Sequence, residues 1–462
     1  MSDAELLRRA AAHANAYLES LNERPVSASL DGAALRERFD LPLPESGLPA
    51  AQVLEALVRD AEGGLLPSSS GRFFGWVIGS TLPVALAADW LTATWDQNAG
   101  AAGCSPAATL VEEVCGRWLK ALLGLPAEAS FGFVTGCQMA HVSALAAARH
   151  ALLRDRSWDV ESQGLAGAPP IGVLSGEHRH ESILRALRLI GIGTAALETL
   201  PCEAGGALDP DRLADALAMQ PDKPTIVCLQ AGDLNTGAFD PFPQACALAR
   251  EAGAWVHVDG AFGLWAATSP RHRHLLEGVE QAQSWATDGH KWLNLPFDSG
   301  FVFVADAAAH RAVFTQEASY SITLEGLRNP KDWNPEWSRR ARAFPAYAAI
   351  RTLGREGIGD MVARCCDHAA ALVAELGALP GVEVLAAPII NQGLVRFLDP
   401  DGAHDARTDA VIARLQAGGE AWFGGTTWRG LRAMRISVCS WRTGEADVAR
   451  AVEAVRQALS EN

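Results

Sequence analysis

Basic residues are in deficit: 39 Lys and Arg stand against 54 Asp and Glu, a formal charge of −15. Such a chain has no basic face with which to release counterions from a nucleic-acid backbone, so no nucleic-acid partner is expected. It also lacks any stretch of about 18 uncharged apolar residues. The best candidate, Leu82 to Trp95, is interrupted by Asp89, which argues against a membrane span. At the N-terminus, Met1-Ser-Asp-Ala-Glu5 carries acids where a signal peptide needs a basic region, so a cytoplasmic location is expected. The nine cysteines are odd in number and include no C-x-x-C pair, which speaks against a zinc ribbon and a disulfide framework and fits a reducing cytosol. No metal is expected. Also missing are the P-loop, the G-x-S-x-G elbow and H-E-x-x-H, since His180-Glu181 is followed by Leu184 where a second ligand would stand. Gly191 to Ala196 spells G-x-G-x-x-A but follows a helical segment, not a strand, and so loses the reason for the dinucleotide motif. There is no internal repeat and no low-complexity tract, and Arg271-His-Arg-His274 reads as a solvated loop.

What is present is a 462-residue chain, 49% apolar, long enough for two or three domains and a large core. Helical spacing over 5–20 and 50–62, with a proline-punctuated linker between, predicts an N-terminal arm. An amphipathic helix over 107–124 leads into short apolar runs at Phe131–Thr135, Ile171–Leu174, Thr225–Gln230, Trp255–Asp259, Trp285–Thr287 and Phe301–Val304. Strands of this length alternating with helices predict an α/β fold with a mostly parallel sheet and a site at the strand ends. An irregular stretch, Gln316 to Trp337, reads as a mobile loop, and from Ser338 a long helical pattern runs to about Leu379. Strand-like pieces at Val382–Leu385, Leu394–Leu398 and Ala433–Val438, with helices at 405–417 and 445–459, predict a smaller α/β C-terminal domain. The expected division is 1–100 for the arm, 101–337 for the large domain and 338–462 for the small one.

Three elements carry chemistry. Lys291 stands just past an apolar strand, between His290 and Trp292. Burial would lower its pKa and free the amine to condense with an aldehyde, although a lysine snorkelling from the strand edge would look the same. Asp259 ends the strand Trp255–Asp259, and the small residues Gly260, Ala261 and Gly263 clear space beside it. It can meet a flat cationic ring edge-on, or simply cap the next helix. Finally, Phe131 to Ala140 reads as a strand, a turn at Gly136 and a helix whose N-terminal N–H groups would face an anion. An aldehyde-bearing pyridine with a phosphate tail needs an amine, a carboxylate and a helix N-terminus together, and pyridoxal phosphate is that molecule.

With these elements in place, the sequence resembles the group II pyridoxal-phosphate decarboxylases, the family of aromatic-amino-acid and glutamate decarboxylases. The likeness spans roughly residues 70 to 450. It runs through Gly71-Arg-Phe-Phe-Gly-Trp76, Ser105-Pro-Ala-Ala-Thr-Leu-Val-Glu112, the Gly136 turn, Glu177-His-Arg-His-Glu-Ser182, Gly232 to Asp240, His257-Val-Asp259, Asp288-Gly-His-Lys-Trp-Leu293 and Arg435-Ile-Ser437. The resemblance implies the fold-type I, aspartate-aminotransferase-like architecture, a homodimer with shared active sites, and a pyridoxal-phosphate carboxy-lyase that turns an L-amino acid into its amine and carbon dioxide. Carried over by position, it makes Lys291 the Schiff-base lysine and Asp259 the partner of the ring nitrogen. His180 stacks on one ring face, with Ala261 on the other; Gly136, Cys137, Gln138 and His290 hold the phosphate, and Asn235 falls beside the cofactor. Arg435 either binds the substrate carboxylate or makes a structural pair.

One departure bears on the reaction. Family members carry a loop tyrosine that helps reprotonate Cα, and around Asn329-Pro-Lys-Asp-Trp333 this chain has none. Tyr320 lies several residues too early, which leaves Tyr320, His180 or Lys291 as proton donor and keeps open an oxidative route to an aldehyde or a carbon–carbon bond-forming one. For the substrate, Phe74, Trp76, Trp95 and Trp333 offer aromatic surface for a bulky ring, while Gln97 and Asn98 offer amides for a polar side chain. An aromatic amino acid is the first expectation and an acidic or polar one the second.

Overall fold

Short apolar, β-branched and aromatic runs form strands where helices can cover both faces. The computed structural model describes residues 1–316 and 324–460. Its large sheet comprises β1 (Ser130–Val134), β2 (Gly172–Gly176), β3 (Leu197–Leu200), β4 (Thr225–Gln230), β5 (Trp255–Asp259), β6 (Ser284–Asp288) and β7 (Gly300–Val304). The spatial order is β1-β7-β6-β5-β4-β2-β3. β7 runs antiparallel to both of its neighbours, and every other pairing is parallel. β3 was not expected: it is a four-residue edge strand with exposed Glu198 and Thr199, too short and too polar to stand out as an apolar run.

The helices α1 (Asp3–Ser20), α2 (Gly32–Phe39) and α3 (Ala50–Ala61) form the arm, and none of the three buries a residue in its own chain. α4 (Pro83–Trp95) and α5 (Pro106–Leu123) follow, then α6 (Cys137–Arg154). The last is rich in buried alanine, at 140, 144, 146, 147, 148 and 151, which lets its backbone lie close against the sheet. A helix over Ala343–Gly377 bends at Gly354, whose φ of 62° lies outside the helical region, and leads to a second sheet. That sheet has β8 (Val382–Ala386), β9 (Gln392–Phe397), β10 (Gly424–Trp428) and β11 (Leu431–Ser437), all antiparallel in the order β10-β11-β9-β8. β10 also went unread, because its Gly-Gly-Thr-Thr start resembles a loop.

Part of the stretch expected to be mobile is held in place. The Arg328 guanidinium donates to the Phe131 carbonyl at 2.7 Å, its amide donates to Glu113 at 2.9 Å, and the Lys331 amide donates to the Gly100 carbonyl at 2.8 Å. Arg339, in turn, forms a buried pair with Glu112 at 2.6 Å. The irregular composition of 324–337 reflects these individual tertiary bonds in place of repeating ones. Tyr320 lies outside the described residues. Among those residues no helix is long and apolar enough to cross a membrane.

Candidate active site

The parallel strands and β1 all end on one edge of the large sheet, and the sequence elements singled out above meet there. Asp259 is the last residue of β5, Lys291 comes three residues after the end of β6, and Gly136 links β1 to α6. His180 follows β2, and Gln230 ends β4. They line a single cavity of about 540 Å³ with Trp76, Thr135, Cys137, Gln138, Ala261, Phe262, Asp288, His290, Phe297 and Arg435. A Cβ on Gly300 would lie 2.4 Å from Gly136 Cα, so β7 can pass beneath the turn only with glycine there.

Electrostatics set the states of these groups. Lys291 Nζ lies 3.2 Å from Asp288 Oδ2. Burial pulls the ammonium down, but Asp288, Cys137 and Asp259 outweigh it, and the Lys291 pKa is raised. This reverses the expectation that burial frees the amine; the nearby carboxylate decides the sign. Asp288 Oδ1 also accepts the Cys137 amide at 2.6 Å, capping α6. For Asp259 burial is again the largest influence and would raise the pKa. Its neighbours His141, His180 and Lys291 overcome it and hold the carboxyl well below the ordinary range, so Asp259 is ionised. Asp259 Oδ1 accepts the Ala261 amide at 3.1 Å.

Burial lowers the pKa of His180, whose Nδ1 bonds Ser182 Oγ at 2.8 Å. His290 is lowered by burial as well, and its ring stacks on Phe297 with centroids 4.3 Å apart. Arg435 donates from Nε to the Leu234 carbonyl at 3.0 Å and from Nη2 to the Trp76 carbonyl at 3.2 Å, and burial brings its pKa down to about 10. Trp76 itself sits at φ 48°, in the region unfavourable to side chains, with its ring 4.6 Å from that of Trp422.

The family described as "Pyridoxal-dependent decarboxylase conserved domain" matches residues 33–398. The chain belongs to the pyridoxal-dependent decarboxylases. This decarboxylase is similar to an aromatic-L-amino-acid decarboxylase of Bacillus atrophaeus, 26% identical over 372 residues that cover 79% of this chain and 74% of the relative. It is also similar to a phenylacetaldehyde synthase of a Rosa hybrid cultivar, 27% identical over 368 residues covering 75% and 70%. Among solved structures, an Oryza sativa TDC with PLP and tryptamine shares the fold, with a TM-score of 0.93 at 24% identity over 99% of this chain and 97% of that one. The cofactor is pyridoxal phosphate. The cavity suits it: an amine, an ionised carboxylate and a helix N-terminus face one space. A Cβ on Gly136 would reach 3.1 Å from His290 and 3.3 Å from Asp288, so glycine keeps the N-terminal end of α6 open to the cavity.

Other residues of the decarboxylase named from sequence lie elsewhere in the single chain. Phe74 is fully buried and stacks on Phe423 at 5.1 Å, and Trp95 packs edge-on against Phe344 at 5.2 Å. Gln97 and Asn98 border a separate pocket with Ser338, Arg339 and Arg340. Trp333 packs against His310, ring centroids 5.5 Å apart, and under the Arg328 guanidinium. Asn235 does not line the cavity; its Oδ1 accepts from Thr426 Oγ1 at 3.1 Å. Sequence reasoning missed Asp288, Phe262 and Phe297 as cavity residues, and it missed His141. The spacing of His141, four residues after Cys137 on α6, puts both on one helical face and was a usable signal.

Proposed function

We propose that this decarboxylase acts on an aromatic L-amino acid, releasing carbon dioxide and the amine. The observation that carries the reading is the composition of this cavity: Trp76, Phe262 and Phe297 supply flat apolar walls around the Lys291 and Asp259 site. Lys291 would hold the cofactor aldehyde, Asp259 the ring nitrogen, His180 and Ala261 the ring faces, and Gly136, Cys137, Gln138 and His290 the phosphate. When bound, pyridoxal phosphate supplies the electron sink for the pair left at Cα when the carboxylate departs. Arg435, a half-buried guanidinium on the cavity wall, would orient that carboxylate. The ring of His180, fixed through Nδ1 by Ser182, leaves Nε2 to move a proton at Cα, a task for which Lys291 and Tyr320 are the other candidates.

A second reading, oxidative conversion to an aldehyde, draws on the departure around 329–333, where Trp333 and not tyrosine stands, packed against His310. The two are told apart by turnover in deuterated water across an amino-acid panel. One deuterium on Cα of the product amine with no oxygen consumed is the expected result, while stoichiometric oxygen uptake with aldehyde and peroxide would overturn it in favour of the second.

The working unit proposed is a homodimer whose active sites are shared. No residue of helices α1 to α3 is buried in its own chain, α4 exposes Trp90, Leu91 and Trp95, and Phe297 at the cavity is 63% exposed. A partner subunit would cover this surface. Light scattering is expected to give twice the chain mass, and a fully active monomer would refute the dimer. A reducing, cytoplasmic setting is supported by nine free cysteines.

A further inference from the structure

β5 presents Trp255, His257 and Asp259 on one face, since side chains two apart in a strand point the same way. α6 covers that face and lowers His141 onto it, while β6 brings Ser284 into register beside His257. The polar atoms of these residues form a continuous buried line. Trp255 Nε1 is 2.9 Å from Ser284 Oγ, Ser284 Oγ is 2.9 Å from His257 Nδ1, and His257 Nε2 is 2.9 Å from His141 Nδ1. His141 Nε2 then lies 3.4 Å from Asp259 Oδ2, at ion-pair distance and outside hydrogen-bond geometry, and it makes no hydrogen bond among the described residues. Ser284, His257 and His141 are all fully buried.

The two ends give the line a direction. An indole N–H only donates and an ionised carboxylate only accepts. Trp255 therefore gives its hydrogen to Ser284, which leaves the serine hydroxyl hydrogen for His257 Nδ1. His257 then donates from Nε2 to His141 Nδ1, and His141 presents Nε2–H to Asp259. Each hydrogen is used once, and each imidazole carries one N–H. Burial depresses the His257 pKa to about 3, in keeping with a neutral ring at its place in the line.

We infer that His141 is a positioning residue for the cofactor: aimed by His257 and Ser284, its Nε2–H fixes the rotation of the Asp259 carboxylate and keeps it ionised against the ring nitrogen. The inference rests on the reading that Asp259 meets that nitrogen. With the Ala261 amide donating to Oδ1 and His141 Nε2 facing Oδ2, each carboxylate oxygen has a polar group against it, which orients the carboxylate toward the cavity. The other groups facing Asp259 are His180 and Lys291, both on the cavity side, and the Cys137 thiol stands beside His141. None of these replaces a donor coming from beneath the sheet edge.

The test uses holoenzyme without substrate and reads the visible absorbance of the Lys291-bound cofactor against pH, together with the cofactor dissociation constant. A less firmly held pyridinium proton makes the cofactor imine more basic. His141→Leu is accordingly expected to raise the apparent pKa of the visible band by about one unit and to weaken cofactor binding about tenfold, the scale of one lost polar contact to an ionised carboxylate. His141→Gln, whose amide N–H can stand near the imidazole Nε2, is expected to stay within about threefold of wild type in binding. Asp259→Asn is the control, expected to shift the band at least as far in the same direction. A wild-type titration and affinity in His141→Leu, beside a shifted Asp259→Asn, would overturn the inference and leave the Asp259 reading intact. No shift in Asp259→Asn would overturn that reading itself. Should His141→Leu fail to fold by circular dichroism, His141→Asn takes its place, since its shorter amide cannot bridge His257 and Asp259 and the same shift is required of it.

Discussion

On the proposed assignment, Lys291→Ala is expected to leave no borohydride-reducible cofactor adduct on the chain and to cut turnover by on the order of a thousandfold or more, because the proposed covalent anchor and proton-carrying amine would be lost together. The four lysines make this a sharp expectation. Lys120 is turned to the Ala127 and Ala129 carbonyls, and Lys331 to the Gln316 carbonyl and Asp332. Lys223 packs beside Gly172, at the start of β2 and so at the opposite edge of the sheet. Only Lys291 lines the cavity. Mass spectrometry of reduced wild-type protein that finds the adduct on any other lysine would overturn the assignment.

Asp259→Asn is expected to fold and to bind cofactor, yet to turn over on the order of a hundredfold or more slowly, with the loss in kcat and not in KM. Asparagine keeps the shape of the side chain, and its carbonyl oxygen can still accept the Ala261 amide. What it loses is the charge. The carboxylate stays ionised although fully within the protein because His141, His180 and Lys291 outweigh the burial cost, and a neutral amide cannot hold a proton on the pyridine nitrogen. A kcat close to wild type would remove the electron-sink account of this site.

Much of this was readable from single positions. Strands β4 and β5 fall at the predicted residues because both are unbroken buried runs, a pattern that only a sheet covered on both faces produces. Lys291 and Asp259 stood out because a charged residue at the end of such a run has no packing reason to be there. β3 was not readable, since an edge strand with one covered face carries little apolar signal, and neither was β10, whose glycines suit a turn as well as a strand.

The site shows the same division. The amine, the carboxylate and the helix N-terminus, and with them the cofactor class, follow from residue types at strand ends, because covalent chemistry depends on which groups exist. The protonation of Lys291 and the company of Asp259 do not. Asp288 ends β6 and meets Lys291 across the turn that follows, and His141 arrives from α6, 118 positions before Asp259 in the chain. Electrostatic interaction falls with distance in space and is indifferent to separation along the sequence, so the chain by itself determined the fold class and which polar groups stand at the strand ends, while only the packing of α6 and β6 against β5 decided their charges and their aim.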